Sequence, residues 1–131
     1  MAAIEIAGID HVVIRAAKPD ATVAFYRDVL GCTVERTLDI GLIQLRAGAS
    51  LIDVVPVDST LGRAGGPAST GGRNMDHFCL KVAKFDEAAI REHLAGHGIA
   101  AGETARRYGA DGFGPSIYLS DPEGNTVELK G

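Results

Sequence analysis

Two short stretches of the chain set a histidine in nearly the same surroundings. Residues 8–16 read GIDHVVIRA and residues 74–82 read NMDHFCLKV. In each, an aspartate precedes the histidine and a basic residue comes four positions later: Arg15 after His11, Lys81 after His77. Side chains alternate across a strand. His11, Val13 and Arg15 therefore share one face, as do His77, Cys79 and Lys81. The apolar alternates, Val12 with Ile14 and Phe78 with Leu80 and Val82, are expected to pack under helices. The same alternation in SLIDVVPV (50–57) turns Ile52 and Val54 to the helix side and Asp53 to the histidine side. In TVELK (126–130) it turns Val127 and Leu129 inward and Glu128 to the histidine side. Each half of the chain thus offers one imidazole and one carboxylate. Such a set suits a borderline divalent cation: Ni, Zn, Mn, Co or Fe(II). Two imidazoles with one or two carboxylates leave coordination positions open, as a catalytic metal requires.

The elements that must position these residues occur twice. After the first histidine strand, expected over roughly Glu5 to Arg15, KPDATVAFYRDVLG reads as a helix. Pro19 lies near its start, Asp20 or Thr22 offers a cap, and Gly31 is the stop. Three strand patterns come next: CTVERTL, GLIQLRA and SLIDVVPV. After the second histidine strand, FDEAAIREHLAGHG reads as a helix with Asp86 as N-cap and Gly98 as stop. A weaker strand in IAAGETARRYG, a clear one in PSIYLSD, a DPEGN turn and TVELK complete the set. From His11 to Gly31 is 20 residues and from His77 to Gly98 is 21, so the spacing repeats as well. The expected fold is α+β: two tandem βαβββ modules, about 5–57 and about 74–131, forming a curved mixed sheet around a central cavity with helices outside. The Gly/Ser/Pro-rich segment 58–73 is read as the linker.

In this order of elements the chain resembles the vicinal oxygen chelate superfamily, which includes glyoxalase I, extradiol dioxygenases, fosfomycin-resistance transferases and bleomycin-binding proteins. The resemblance covers nearly the whole chain and rests on IDHVVIRA, FYRDVLG, MDHFCLKV and SIYLSDPEGNTVEL. It implies metal ligands on the first, fourth, fifth and eighth strands, here His11, Asp53, His77 and Glu128. Asp53 departs from the pattern, being one methylene shorter than the glutamate usual in glyoxalase I. The resemblance further implies lyase or isomerase chemistry on a small substrate that chelates the metal through adjacent oxygens. Glu128 would then be the base and Asp53 its counterpart. Arg15 matches an arginine that helps hold a glutathione carboxylate, while Tyr118 and Phe113 are candidates for the substrate wall and rim. The alternatives on the same fold are an extradiol-type Fe(II) dioxygenase and a non-enzymatic ligand-binding or resistance protein. Val13 stands where the fosfomycin transferases have threonine. The resemblance also implies a homodimer.

Composition narrows the partners. The 131 residues carry a net charge of −4, and 46% are apolar, an ordinary balance for one domain of this size. There is no concentrated basic face for nucleic acid, and 5% aromatic residues argue against base stacking. No apolar run is long enough to span a membrane, and residues 1–11 do not read as a signal peptide. Cys32 and Cys79 are too few for a disulfide framework, so a cytoplasmic location is expected. His93 and His97 sit four apart on the second helix, and their reading is a favourable placing of His97 at the helix C-terminus. Cys79 reads as small cavity packing. The glycines of 63–73 lack a phosphate-loop ending.

Overall fold

A parallel pair of strands needs a long crossover between its members, and each half of this chain supplies one. The computed structural model describes residues 5, 9–68, 71 and 75–131. The first half runs β1 (His11–Ala16), α1 (Pro19–Ala24), a π-helical turn at Phe25–Val29, β2 (Thr33–Leu38), β3 (Leu42–Ala47) and β4 (Ser50–Pro56). A short helix, α2 (Thr60–Ala64), comes next, within the segment read as linker. The second half runs β5 (Phe78–Lys81), α3 (Glu87–Gly96), β6 (Ala105–Gly109), β7 (Gly112–Ser120) and β8 (Thr126–Lys130). Residues 6–8 of the first expected strand, residues 69, 70, 72 and 73 of the linker and Asn74 lie outside the described residues.

The βαβββ order is observed twice, and the hydrogen bonds organise it into two four-stranded mixed sheets. Their strand orders are β1-β4-β3-β2 and β5-β8-β7-β6, the same permutation in each half. The chain divides accordingly into two units, Met1–Ala68 and Ser69–Gly131. In each, the histidine strand runs parallel to the last strand, and the other pairs are antiparallel.

Alternation works as expected on the helix-side faces. Ile14, Leu45, Ile52 and Val54 are buried in the first unit, and Ile117, Leu119, Val127 and Leu129 in the second. Each such side chain contributes about 1.5–3 kcal/mol when fully buried. α1 packs against β4, and the buried Phe25 and Tyr26 meet edge to face at 5.1 Å. Asp20 and Thr22 do not cap this helix. Pro19 occupies its first turn, Lys18 is the N-cap residue, and Thr22 is fully buried inside. Proline fits the first turn because its missing N–H has no partner there anyway. Asp86 does cap α3, accepting from the Ala89 N–H at 3.1 Å. The expected stops, Gly31 and Gly98, take φ of 79° and 70°, where a side chain would be strained. No helix among the described residues is long and apolar enough to cross a membrane.

Candidate metal centre

His11 is the first residue of β1, and Asp53 is central in β4. In the parallel register His11 pairs with Leu51 and Val13 with Asp53, so both functional side chains emerge on one face. His11 Nδ1 lies 2.7 Å from Asp10 Oδ1. An ionised carboxylate can only accept, so Nδ1 carries a proton, and in the neutral ring Nε2 keeps its lone pair. This bond holds the His11 pKa above its ordinary value; desolvation opposes it, and the charges of Asp53 and Asp10 add to it. Asp53 is 2% exposed. Its Oδ2 accepts from Gln44 Nε2 at 3.2 Å, while Oδ1 is buried with no hydrogen-bond partner among the described residues.

The second unit repeats the arrangement. His77 immediately precedes β5, and its Nδ1 lies 2.7 Å from Asp76 Oδ2. Its Nε2 faces Glu128 Oε1 at 3.3 Å. Glu128, on β8, is 6% exposed and pairs with Cys79 on one side and Tyr118 on the other. Desolvation first, then the Glu128 charge, pushes the Cys79 thiol and the Tyr118 phenol upward. A thiol held protonated is a poor nucleophile, but Cys79 is exposed and does not pack into a core as its strand position suggested.

The remaining sequence candidates separate into two groups. Tyr118 belongs with the histidine: its ring meets the His77 ring edge-on at 5.2 Å, and the Arg107 guanidinium lies 4.5 Å over it. Phe113 lies on the β6–β7 hairpin, 58% exposed, against Tyr108 and beneath Arg106. Arg15 reaches the α2 segment, donating to the carbonyls of Gly62 (3.1 Å), Pro67 (3.3 Å) and Gly66. Lys81 pairs with Asp111 at the surface. His93 and His97 stack 4.8 Å apart near the end of α3. A surface cavity of about 360 Å³ is lined by Thr104, Ala105, Arg106, Gly114 and Pro115, none of them a metal or proton-transfer candidate.

The fold has known relatives. The family model for the Glyoxalase/Bleomycin resistance protein/Dioxygenase superfamily matches residues 8–129. The chain belongs to that superfamily. Among solved structures, this superfamily member is similar to a virulence protein from Salmonella typhimurium, with 25% identity over 97% of this chain and 98% of that one and a TM-score of 0.78. It is similar to a lactoylglutathione lyase from Agrobacterium tumefaciens, with 25% identity over 96% of this chain and 94% of that one and a TM-score of 0.71. The fosfomycin resistance protein FosX from Listeria monocytogenes shares the fold, at 17% identity, 96% and 93% coverage and a TM-score of 0.71. A search of curated proteins found no match.

Superfamily members often use a divalent metal, and the donors here can be tested for fit. Among the described residues, no three His, Cys, Asp or Glu side chains group as a metal site. Each half-site nevertheless has the character of ligands. Both histidines are fixed by a carboxylate at Nδ1, the arrangement that orients a metal-binding imidazole. In the second unit His77 Nε2 and Glu128 Oε1 stand 3.3 Å apart. A nitrogen and a carboxylate oxygen this close share a positive partner between them, a proton or a cation. Ligand distances of about 2.0–2.2 Å put two donors of one ion about 2.9 Å apart at a right angle and about 3.4 Å apart at the tetrahedral angle. The observed separation falls between these values. In the first unit, the orphaned Asp53 Oδ1 calls for the same kind of partner. The donor set fits.

Sequence reasoning missed Gln44, Arg36 and Arg107. It noticed Asp10 and Asp76 only as parts of a repeat, although an acidic residue beside each histidine was itself the signal of an oriented imidazole.

Proposed function

We propose that this protein is a metal-dependent enzyme of lyase or isomerase type, acting on a small substrate with two adjacent oxygens. The observation that carries the reading is the His77–Glu128 pair, with Nε2 and Oε1 3.3 Å apart and the other imidazole nitrogen already held by Asp76. The ligands would be His11, His77 and Glu128, with Asp53 as the fourth. A bound divalent ion supplies Lewis-acid polarisation of the substrate oxygens, which acidifies the neighbouring C–H. Asp10 and Asp76 hold the two imidazoles in the ligating tautomer. Glu128, displaced from or beside the ion, would take the proton from the substrate carbon and return it, aided by a buried position that keeps bulk water from competing. Asp53 is its counterpart in the other unit. Tyr118, wedged between His77 and Arg107, contributes substrate wall, and Phe113 contributes an exposed aromatic rim. Arg15 can hold a substrate carboxylate by exchanging carbonyl acceptors for a charged one, since charge-assisted bonds are the stronger kind. Superfamily membership and the resemblance to a lactoylglutathione lyase support the reading. Membership also supports a homodimer.

The test begins with metal. Chelator-stripped protein is reloaded with Ni, Zn, Mn, Co or anaerobic Fe(II), dialysed and assayed for bound ion beside Glu128→Ala. Retained metal that is lost in the variant, with turnover of a thiol–aldehyde adduct, supports the proposal. Retention of Fe(II) alone, with oxygen consumption on catechols, moves the assignment to a dioxygenase. No retained metal in either protein moves it to ligand binding without chemistry.

A further inference from the structure

β2 carries one irregularity, and it decides what stands beside Asp53. Thr33 and Val34 pair with Arg46 and Leu45; the register then shifts, so that Arg36 rather than Glu35 lies opposite Gln44. Continued in its first register, β2 would put Glu35 there. A bulge inserts one unpaired residue and re-aims the side chains beyond it. Here it turns Glu35 out of the row, where Arg46 donates to it at 2.8–3.0 Å. Gln44 in turn lies opposite Asp53 on β4. Arg36, Gln44 and Asp53 thus form one row across three strands.

The order of charges fixes the amide between them. Arg36 Nε donates to Gln44 Oε1 at 2.7 Å. With its oxygen so engaged, Gln44 turns Nε2 toward Asp53 and donates to Oδ2 at 3.2 Å. The two ends of an amide have nearly the same shape and opposite hydrogen-bonding sense. A glutamate in place of Arg36 would accept from Nε2 and turn the amide oxygen against the Asp53 carboxylate. The arginine selects the end that the carboxylate meets. One oxygen of Asp53 is thereby tied, and the other, Oδ1, is buried without a hydrogen-bond partner among the described residues.

The second unit supplies an independent counterpart. Tyr118 on β7 pairs opposite Glu128 as Gln44 on β3 pairs opposite Asp53. An arginine backs it too, with Arg107 4.5 Å over the Tyr118 ring.

We infer that Gln44, oriented by Arg36, is a positioning residue that presents Asp53 to a divalent cation through Oδ1 alone. The inference rests on the metal-dependent function proposed for this site and deepens it, making the short carboxylate a one-oxygen ligand. Cobalt substitution tests it, because the visible bands of Co(II) respond to its ligands. Gln44→Met keeps the side-chain length and removes the amide; Arg36→Met removes only its orientation. Both should keep the wild-type circular dichroism spectrum. Gln44→Met should shift the Co(II) bands and weaken affinity by roughly 10–100-fold, the usual scale for an outer partner of a ligand. Arg36→Met should do the same to a smaller degree, and Arg46→Met should do neither. Unchanged bands and affinity in Gln44→Met, while Asp53→Ala loses affinity, would overturn the inference. If the wild type itself retains no Co(II), the metal reading fails, and Asp53 as a ligand fails with it. The orientation of Gln44 is then judged on metal-free protein by its side-chain amide signals in a proton–nitrogen correlation spectrum. Those signals should move in both Asp53→Ala and Arg36→Met; signals indifferent to both would dispose of the row as well.

Discussion

An imidazole ligates through a lone pair, so the position of its proton matters as much as the position of its ring. Asp10 and Asp76 each fix that proton on Nδ1, at 2.7 Å in both units. Replacing either by asparagine should lower cation affinity by roughly 10–100-fold while leaving the fold intact. Alanine at His11, His77 or Glu128 should cost more, because a ligand is lost and not merely its orientation. His93→Ala should cost nothing. Isothermal titration with Zn on stripped protein separates the three classes. Equal losses at His93 and His77 would remove the site assignment. The residue scale was only partly legible in the sequence. Alternation brought His77 and Glu128 to one face because alternation is local. The three carbonyls that hold Arg15 lie 47 to 52 residues away, beyond the reach of any periodicity.

The elements depend on their ends. α3 begins with Asp86 accepting from the Ala89 N–H, and Asp86→Ala should lower stability by about 1 kcal/mol in urea unfolding. One residue on, Glu87 accepts from Thr104 at 2.7 Å and from Arg91 at 3.1 Å. The Thr104 hydrogen bond first, and Arg91 second, hold its pKa below the ordinary 4.5. A carboxylate with a depressed folded pKa contributes stability above its unfolded pKa and loses it as pH falls through the folded one. Glu87→Gln should therefore lower stability at neutral pH and flatten the acid limb of the stability–pH curve, the two proteins converging as pH falls below about 4.5. A parallel limb in the two proteins would contradict this. At α2, a Cβ on Gly62 would collide with the Pro56 carbonyl oxygen, so Gly62→Ala must displace α2 from β4. Thermal melting should fall, and Arg15 should lose a carbonyl partner. Sequence reasoning placed the strands, the α3 cap and both glycine stops from local chemistry. It missed α2 because five helical residues inside a glycine-rich stretch leave no apolar stripe to read. It missed the bulge because one inserted residue reverses alternation without changing composition.

For the molecule as a whole, duplication is the organising fact: one strand permutation, twice, with one histidine and one carboxylate in each copy. A cation that takes all four donors uses both copies, whether from one chain or from two. The stoichiometry should then be about one ion per chain, measured by atomic emission on dialysed protein. Two ions per chain would mean that each half-site binds alone. Sedimentation equilibrium tests the homodimer separately. The repeat itself was plain in the sequence, since the two Asp-His strands and the glycines after them keep step over 20 and 21 residues. Its inequality was not. One carboxylate is short and tied by an amide, and the other is longer and lies beside a phenol ring.

The β2 bulge makes the length of a strand into a means of reversing charge. Losing the single codon for Arg36 would restore an even ladder and slide Glu35 opposite Gln44. Gln44 would then turn its oxygen toward Asp53, and the carboxylate proposed to meet a cation would lose its amide donor. Closely related chains could thus part in chemistry through a one-residue deletion at an exposed edge, with every proposed ligand still in its place.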